Sequence, residues 1–190
     1  IEKTKIMKVE NIYAKLPVLF QNFACTYYGW REKRVRMGAE FKQFYSYLLS
    51  TENASRTEIE FYQNEKMSKL IERAYRTVPY YKNLMGDAGL KPSDINTKNS
   101  LASLPALRKS DVIAHSTSLL SSDSAVNSLR ESKTSGTTGT ALNFYTTDEA
   151  IAFQWAVWWR HRSRFGFIPG EWHVNVTVRP VVPTNQSNPP

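Results

Sequence analysis

The sequence holds one cysteine, eight glycines and three histidines in 190 residues, and no apolar run of bilayer-spanning length. A single cysteine excludes an intrachain disulfide, so the fold must rest on its core, and this usage leans toward a reducing, cytoplasmic setting. Cys25 is expected to be a buried thiol within a helical segment, since free cysteine behaves as a small hydrophobe. The low glycine count excludes a collagen-like chain, and 41% hydrophobic residues exclude a disordered one. The most apolar stretch, residues 13–30, is interrupted by Lys15, Pro17, Gln21 and Asn22. It falls short of the roughly 20 apolar residues that a transmembrane helix needs, and it does not read as a signal peptide. The histidines are isolated. His161 lies among arginines, His173 on the polar side of a strand-like stretch, and His115 reads as a surface or capping residue; none has a metal-ligand partner at zinc-site spacing.

Acidic residues are the scarcer charge, 17 against 25 basic, for a net charge of +8. The excess is spread, with 16 basic and 11 acidic side chains in residues 1–95 and 9 and 6 in residues 96–190. Two dense clusters stand out, Arg31, Lys33, Arg34 and Arg36, and Arg160, Arg162 and Arg164. Each reads as a solvated face that could also meet phosphates. The chain starts at Ile1 and stops at Asn188, Pro189 and Pro190 without a closing element, and both ends are expected to be cuts.

The length suffices for a substantial core. Phe41, Phe44, Tyr45, Leu48 and Leu49 share a helical stripe. Ser55 and Glu58 have capping-box spacing, after which Ile59, Tyr62, Met67, Leu70, Ile71 and Ala74 keep a helical period up to Val78 and Pro79. Residues 79–125 read as connecting structure with small helices, one capped by Ser110 and Asp111. Beyond residue 126 the pattern changes: residues 126–133 and 142–146 are strand-like, and Val174, Val176 and Val178 alternate in a third strand. A helix between the last two is predicted to start on a Thr146–Glu149 capping box, to bury Trp155, Trp158 and Trp159, and to close at Gly166 before a Pro169–Gly170 turn. Helices followed by strand, glycine loop, strand, helix and strand give an α/β or α+β class. The boundary is expected between a mainly helical region, 1–125, and an α/β region, 126–190.

The stretch that carries chemistry is Thr134-Ser135-Gly136-Thr137-Thr138-Gly139-Thr140, set between two strand-like segments. Glycine permits close backbone approach and frees consecutive amides to face an anion, and the hydroxyls add donors, so the loop suits a polyphosphate. A hydroxyl-rich loop with no ligand fits the same composition. It is not a Walker loop, because Gly139 follows Gly136 by three residues and the lysine, Lys133, lies upstream; the dinucleotide pattern lacks its first glycine.

The loop resembles the phosphate-binding loop of the adenylate-forming superfamily of acyl-CoA synthetases, nonribosomal adenylation domains and luciferases. Residues 134–141 fit the eight leading positions of that pattern, [STG]-[STG]-G-[ST]-[TSE]-[GS]-x-[PALIVM]-K. Leu142 replaces the final lysine, a departure that resembles the phenylacetate-CoA ligase branch and its CapK-like members linked to capsular polysaccharide biosynthesis. The TVPYYKN, AGLKPSDI, LPALRKSDV and RPVVPTNQSNPP stretches resemble that branch as well, so the likeness covers essentially the whole chain.

The resemblance implies the start of an α/β adenylation domain, with a sheet flanked by helices. It implies a ligase that joins a carboxylate to ATP, with magnesium, and then passes the acyl group to coenzyme A. Ser135, Thr137, Thr138 and Thr140 would contact phosphate, Gly136 and Gly139 would allow close approach, and Thr134 would anchor the loop. The family's remaining machinery has no counterpart in these 190 residues, so the chain is expected to be an N-terminal fragment, inactive alone. A competing expectation is a basic helical module that binds an anionic membrane or nucleic acid, and another is a non-catalytic relative. No integral membrane segment and no specific nucleic-acid partner are expected.

Overall fold

The computed structural model describes residues 13, 16–125, 128–134 and 142–171. These are mainly helical, with one two-stranded antiparallel sheet, which is the coarse form of the α/β expectation. The helices are α1 (Val18–Met37), α2 (Ala39–Ser50), α3 (Arg56–Thr77), α4 (Pro79–Asp87), α5 (Lys109–Ala114) and α6 (Asp148–Ser163), and the strands are β1 (Arg130–Lys133) and β2 (Asn143–Thr146). The chain divides into two compact units, one of residues 49–150 and one joining 1–48 with 151–190. The boundary expected after residue 125 lies inside the former.

In the unit of residues 49–150, α3 starts as its sequence dictates. The Ser55 hydroxyl accepts from the Glu58 N–H at 3.3 Å, and the Ser55 N–H donates to the Glu58 carboxylate at 2.8 Å. That carboxyl is held below its ordinary value by these bonds from Ser55. The helix stops at Thr77 because Pro79 forces Val78 out of the helical region, and Pro79 then occupies the first turn of α4, where its missing N–H is harmless. Ile71, Met85 and Ile95 form the buried core, with Met67, Tyr75, Leu90 and Leu104 against it. Along α3, Ile59 and Leu70 share the apolar period yet face solvent. The predicted Ser110–Asp111 cap is displaced: α5 begins after Arg108, whose N–H donates to Asp111 Oδ2 at 2.9 Å.

The serine-rich stretch after α5 is tied to the end of α3. Ser122 N–H donates to the Thr77 carbonyl at 2.7 Å, and the Ser121 and Thr77 hydroxyl oxygens lie 2.7 Å apart. Thr77, buried at this junction, spends its own hydroxyl proton on the Arg73 carbonyl at 2.8 Å.

In the other unit, Phe41, Ala152, Ala156 and Trp159 form the core, and Met37, Phe44, Tyr45, Leu48 and Trp155 pack on it. Two fully buried alanines let α6 approach closely here, while Phe41 stacks on Tyr45 and Phe44 meets Phe153 edge-on. The expected tryptophan core is therefore partial. Trp159 is buried, whereas Trp158 is 52% exposed because one helical turn cannot aim both neighbours inward. Leu49, predicted on the buried stripe, is also exposed. Cys25 is exposed rather than buried, its sulfur 3.1 Å from the Tyr13 hydroxyl.

The start of α6 differs by one residue from the prediction. Thr146 is spent in β2, paired with Arg130, and Thr147 Oγ1 caps the helix by accepting from the Ala150 N–H at 3.1 Å. The end is as predicted: Gly166, at φ +83°, donates to the Ser163 carbonyl while Phe167 N–H reaches back to Arg162. The third predicted strand, with Val174, Val176 and Val178, lies outside the described residues.

Candidate functional site

The strands predicted on either side of the glycine-rich stretch are paired with each other. β1 and β2 pair antiparallel in the register Arg130 with Thr146, Glu131 with Tyr145, Ser132 with Phe144 and Lys133 with Asn143. The first strand is shorter than the predicted 126–133. It begins at Arg130, preceded by a turn in which Ser128 N–H donates to the Ala125 carbonyl.

One further pair closes the ladder. Thr134 N–H donates to the Leu142 carbonyl at 3.0 Å, and Leu142 N–H donates to the Thr134 hydroxyl at 2.9 Å. The second bond uses a side-chain oxygen where a regular ladder uses the backbone carbonyl, so the strand geometry ends at Thr134 while the two limbs stay joined. Thr134 is thus an exposed residue that holds the loop's two ends together. Ser135, Gly136, Thr137, Thr138, Gly139 and Thr140, the other expected phosphate-contacting residues, lie outside the described residues.

Charge is organised around the base of this hairpin. Lys133, the last residue of β1, pairs with Glu131 at 3.3 Å, two positions back on the same strand face. Arg130 Nε donates to Asp148 Oδ1 at 2.5 Å, so the start of β1 is tied to the first turn of α6, where the aspartate also complements the helix N-terminus. Beside β2 lies a cavity of about 310 Å³ lined by Val112, Leu119, Leu120, Leu129, Phe144 and Tyr145 among others. Its size is at the low end of small-molecule pockets.

The two described carboxylates near the hairpin base, Glu131 and Asp148, are each paired with a cation. Among the described residues no three His, Cys, Asp or Glu side chains cluster as metal ligands. His115 is exposed at the end of α5, its ring 5.2 Å from that of Tyr80, and His161 stacks edge-on with Phe165. No helix among the described residues is long and apolar enough to cross a membrane.

Sequence reasoning located the hairpin but missed its fastenings. Thr134 to Leu142 and Arg130 to Asp148 join residues 8 and 18 apart, with no periodic signal to mark them. A scan of protein-family models finds none that matches the chain, and no curated protein matches it significantly.

Proposed function

We propose that the chain is the nucleotide-binding part of an adenylate-forming ligase, with residues 134–140 cradling the phosphates of ATP. The observation that carries this reading is the hairpin itself. A stretch fitting eight positions of the superfamily's loop pattern stands between two paired strands, and Thr134 fastens its ends to each other. Fixing both ends lowers the ordering cost of aiming the loop's amides and hydroxyls at an anion.

In the reaction so assigned, a carboxylate oxygen attacks the α-phosphorus of ATP, the bond to the bridging oxygen breaks, and pyrophosphate leaves. Negative charge grows on the phosphate chain, which is where preorganised donors act. The acyl group of the resulting adenylate then passes to the sulfur of coenzyme A, releasing AMP. Phosphate contacts fall to Ser135, Thr137, Thr138 and Thr140, close approach to Gly136 and Gly139, and loop closure to Thr134. ATP accompanied by magnesium, coenzyme A and a small carboxylic acid are the ligands of this reading. A sheet flanked by helices is its fold, the CapK-like branch its family and the cytoplasm its location.

Equilibrium dialysis against labelled ATP tests it. Saturable binding of one ATP per chain, displaced by pyrophosphate and lost in Gly136→Val, is expected. Binding that is absent, or that survives Gly136→Val unchanged, overturns the assignment.

A further inference from the structure

Helix α1 is exposed along most of its length and meets the rest of its unit near its C-terminal end. Its inner side is polar: Glu32 is buried and pairs with Arg36 at 3.1 Å, and Arg36 lies over the Trp155 ring. Its outer side is aromatic. Phe20, Phe23, Tyr27 and Trp30 recur at helical spacing and are 57%, 66%, 66% and 52% exposed. The same stripe ends on Arg34, whose guanidinium stacks 4.9 Å over Trp30, with exposed Arg31 and Lys33 beside it.

Apolar and cationic character are therefore sorted along the helix. Residues 18–30 carry no charge, over about 18 Å of helix at 1.5 Å per residue. Val18, Leu19, Phe20 and Phe23 come first, Tyr27, Tyr28 and Trp30 next, and the cations last. Tyrosine and tryptophan favour the membrane interface, and the cations favour its charged headgroups.

We propose that the exposed aromatic face of α1 is a docking surface for an anionic lipid bilayer, lying along the interface with Arg31, Lys33 and Arg34 at the headgroups. Charge complementarity selects this occupant. The only acid in the helix, Glu32, is turned inward, so a second copy of the helix would offer Arg31, Lys33 and Arg34 no free carboxylate. Two heptads of aromatics are also too short for a coiled coil, which needs about three or four. A nucleic-acid strand, with one phosphate about every 3.4 Å, would find no cation along residues 18–30. The inference concerns a different helix from the glycine loop and stands independently of it.

Co-sedimentation with vesicles of phosphatidylcholine, with and without 30% phosphatidylserine, tests the surface. Binding is expected only to the anionic vesicles and is expected to weaken as salt rises. Arg31→Gln with Arg34→Gln should lower the partition coefficient about fivefold per arginine at low salt. Phe20→Ser with Phe23→Ser should abolish binding while leaving the circular dichroism spectrum and melting temperature unchanged, because both rings are exposed. Gly136→Val should bind vesicles like the unmodified chain. Equal binding to neutral vesicles, binding insensitive to both double variants, or aromatic-dependent self-association or DNA binding in place of vesicle binding would each overturn the proposal.

Discussion

Arg73 and Asp123, 50 residues apart in sequence, meet as a two-bond ion pair: Arg73 Nε donates to Oδ2 and Nη2 to Oδ1, each at 3.2 Å. The pair joins α3 to the serine-rich stretch that leads to the hairpin, and Ser121 and Ser124 hydroxyls add bonds to the same carboxylate.

These bonds, with Arg73 the largest influence and Ser121 next, lower the Asp123 pKa from 3.8 to about 2. A depressed carboxyl stabilises the folded state fully above its unfolded pKa and loses that contribution as pH falls through the folded value. The arginine stays charged throughout. Stability attributable to this pair should therefore decline between about pH 4 and pH 2. A proton-detected titration of Asp123 should give a midpoint near 2, and Asp123→Asn should flatten that part of the stability profile. A midpoint at or above 3.8 would refute the pairing.

The core around α6 leaves no slack at its alanines. Ala152 and Ala156 are fully buried against Phe41 and Trp159. Ala156→Leu should cost about 1–3 kcal/mol by overpacking and Phe41→Ala about 3–5 kcal/mol by loss of buried surface. Trp158→Ala should cost less than about 1 kcal/mol, since that ring is largely solvated and its partners are surface contacts with Arg162 and Trp155. Urea denaturation of the three variants measures the contrast.

At the start of α6 the cap is Thr147. Thr147→Ala should lower stability by about 1 kcal/mol, and Thr147→Ser should retain most of it, because only the accepting oxygen matters. Thermal melts of the pair read this out, and equal melting temperatures for the alanine variant and the unmodified chain would place the cap elsewhere.

What the sequence made legible was local. The Phe41, Phe44, Tyr45, Leu48 stripe, the Ser55–Glu58 box, the Pro79 stop and the Gly166 closure all depend on residues within a turn or two, and each is found as predicted. Which side of a period meets a partner was not legible: Leu49, Ile59 and Leu70 carry the right spacing and face solvent, and the aromatic stripe of α1 does so along the charge-free part of its length. The Thr146 cap failed because a threonine with glutamate three residues on fits both a strand end and a helix start, and the ladder with Arg130 claims it. At the hairpin, the motif and its flanking strands could be read from composition and alternation. The Thr134–Leu142 and Arg130–Asp148 fastenings could not, because a single long-separated contact leaves no repeating pattern.

Thermal stabilisation by ATP is the most direct measure of whether the 134–140 loop holds a nucleotide. Binding to the folded chain alone raises its stability by about 1.4 kcal/mol at ten times the dissociation constant, so the melting temperature should climb steadily with ATP concentration. Thr137→Ala should weaken that climb and Gly136→Val should remove it, with melting in the absence of ATP little changed. A melting temperature that ignores ATP, or one that rises equally in the unmodified chain and in Gly136→Val, would contradict the assignment.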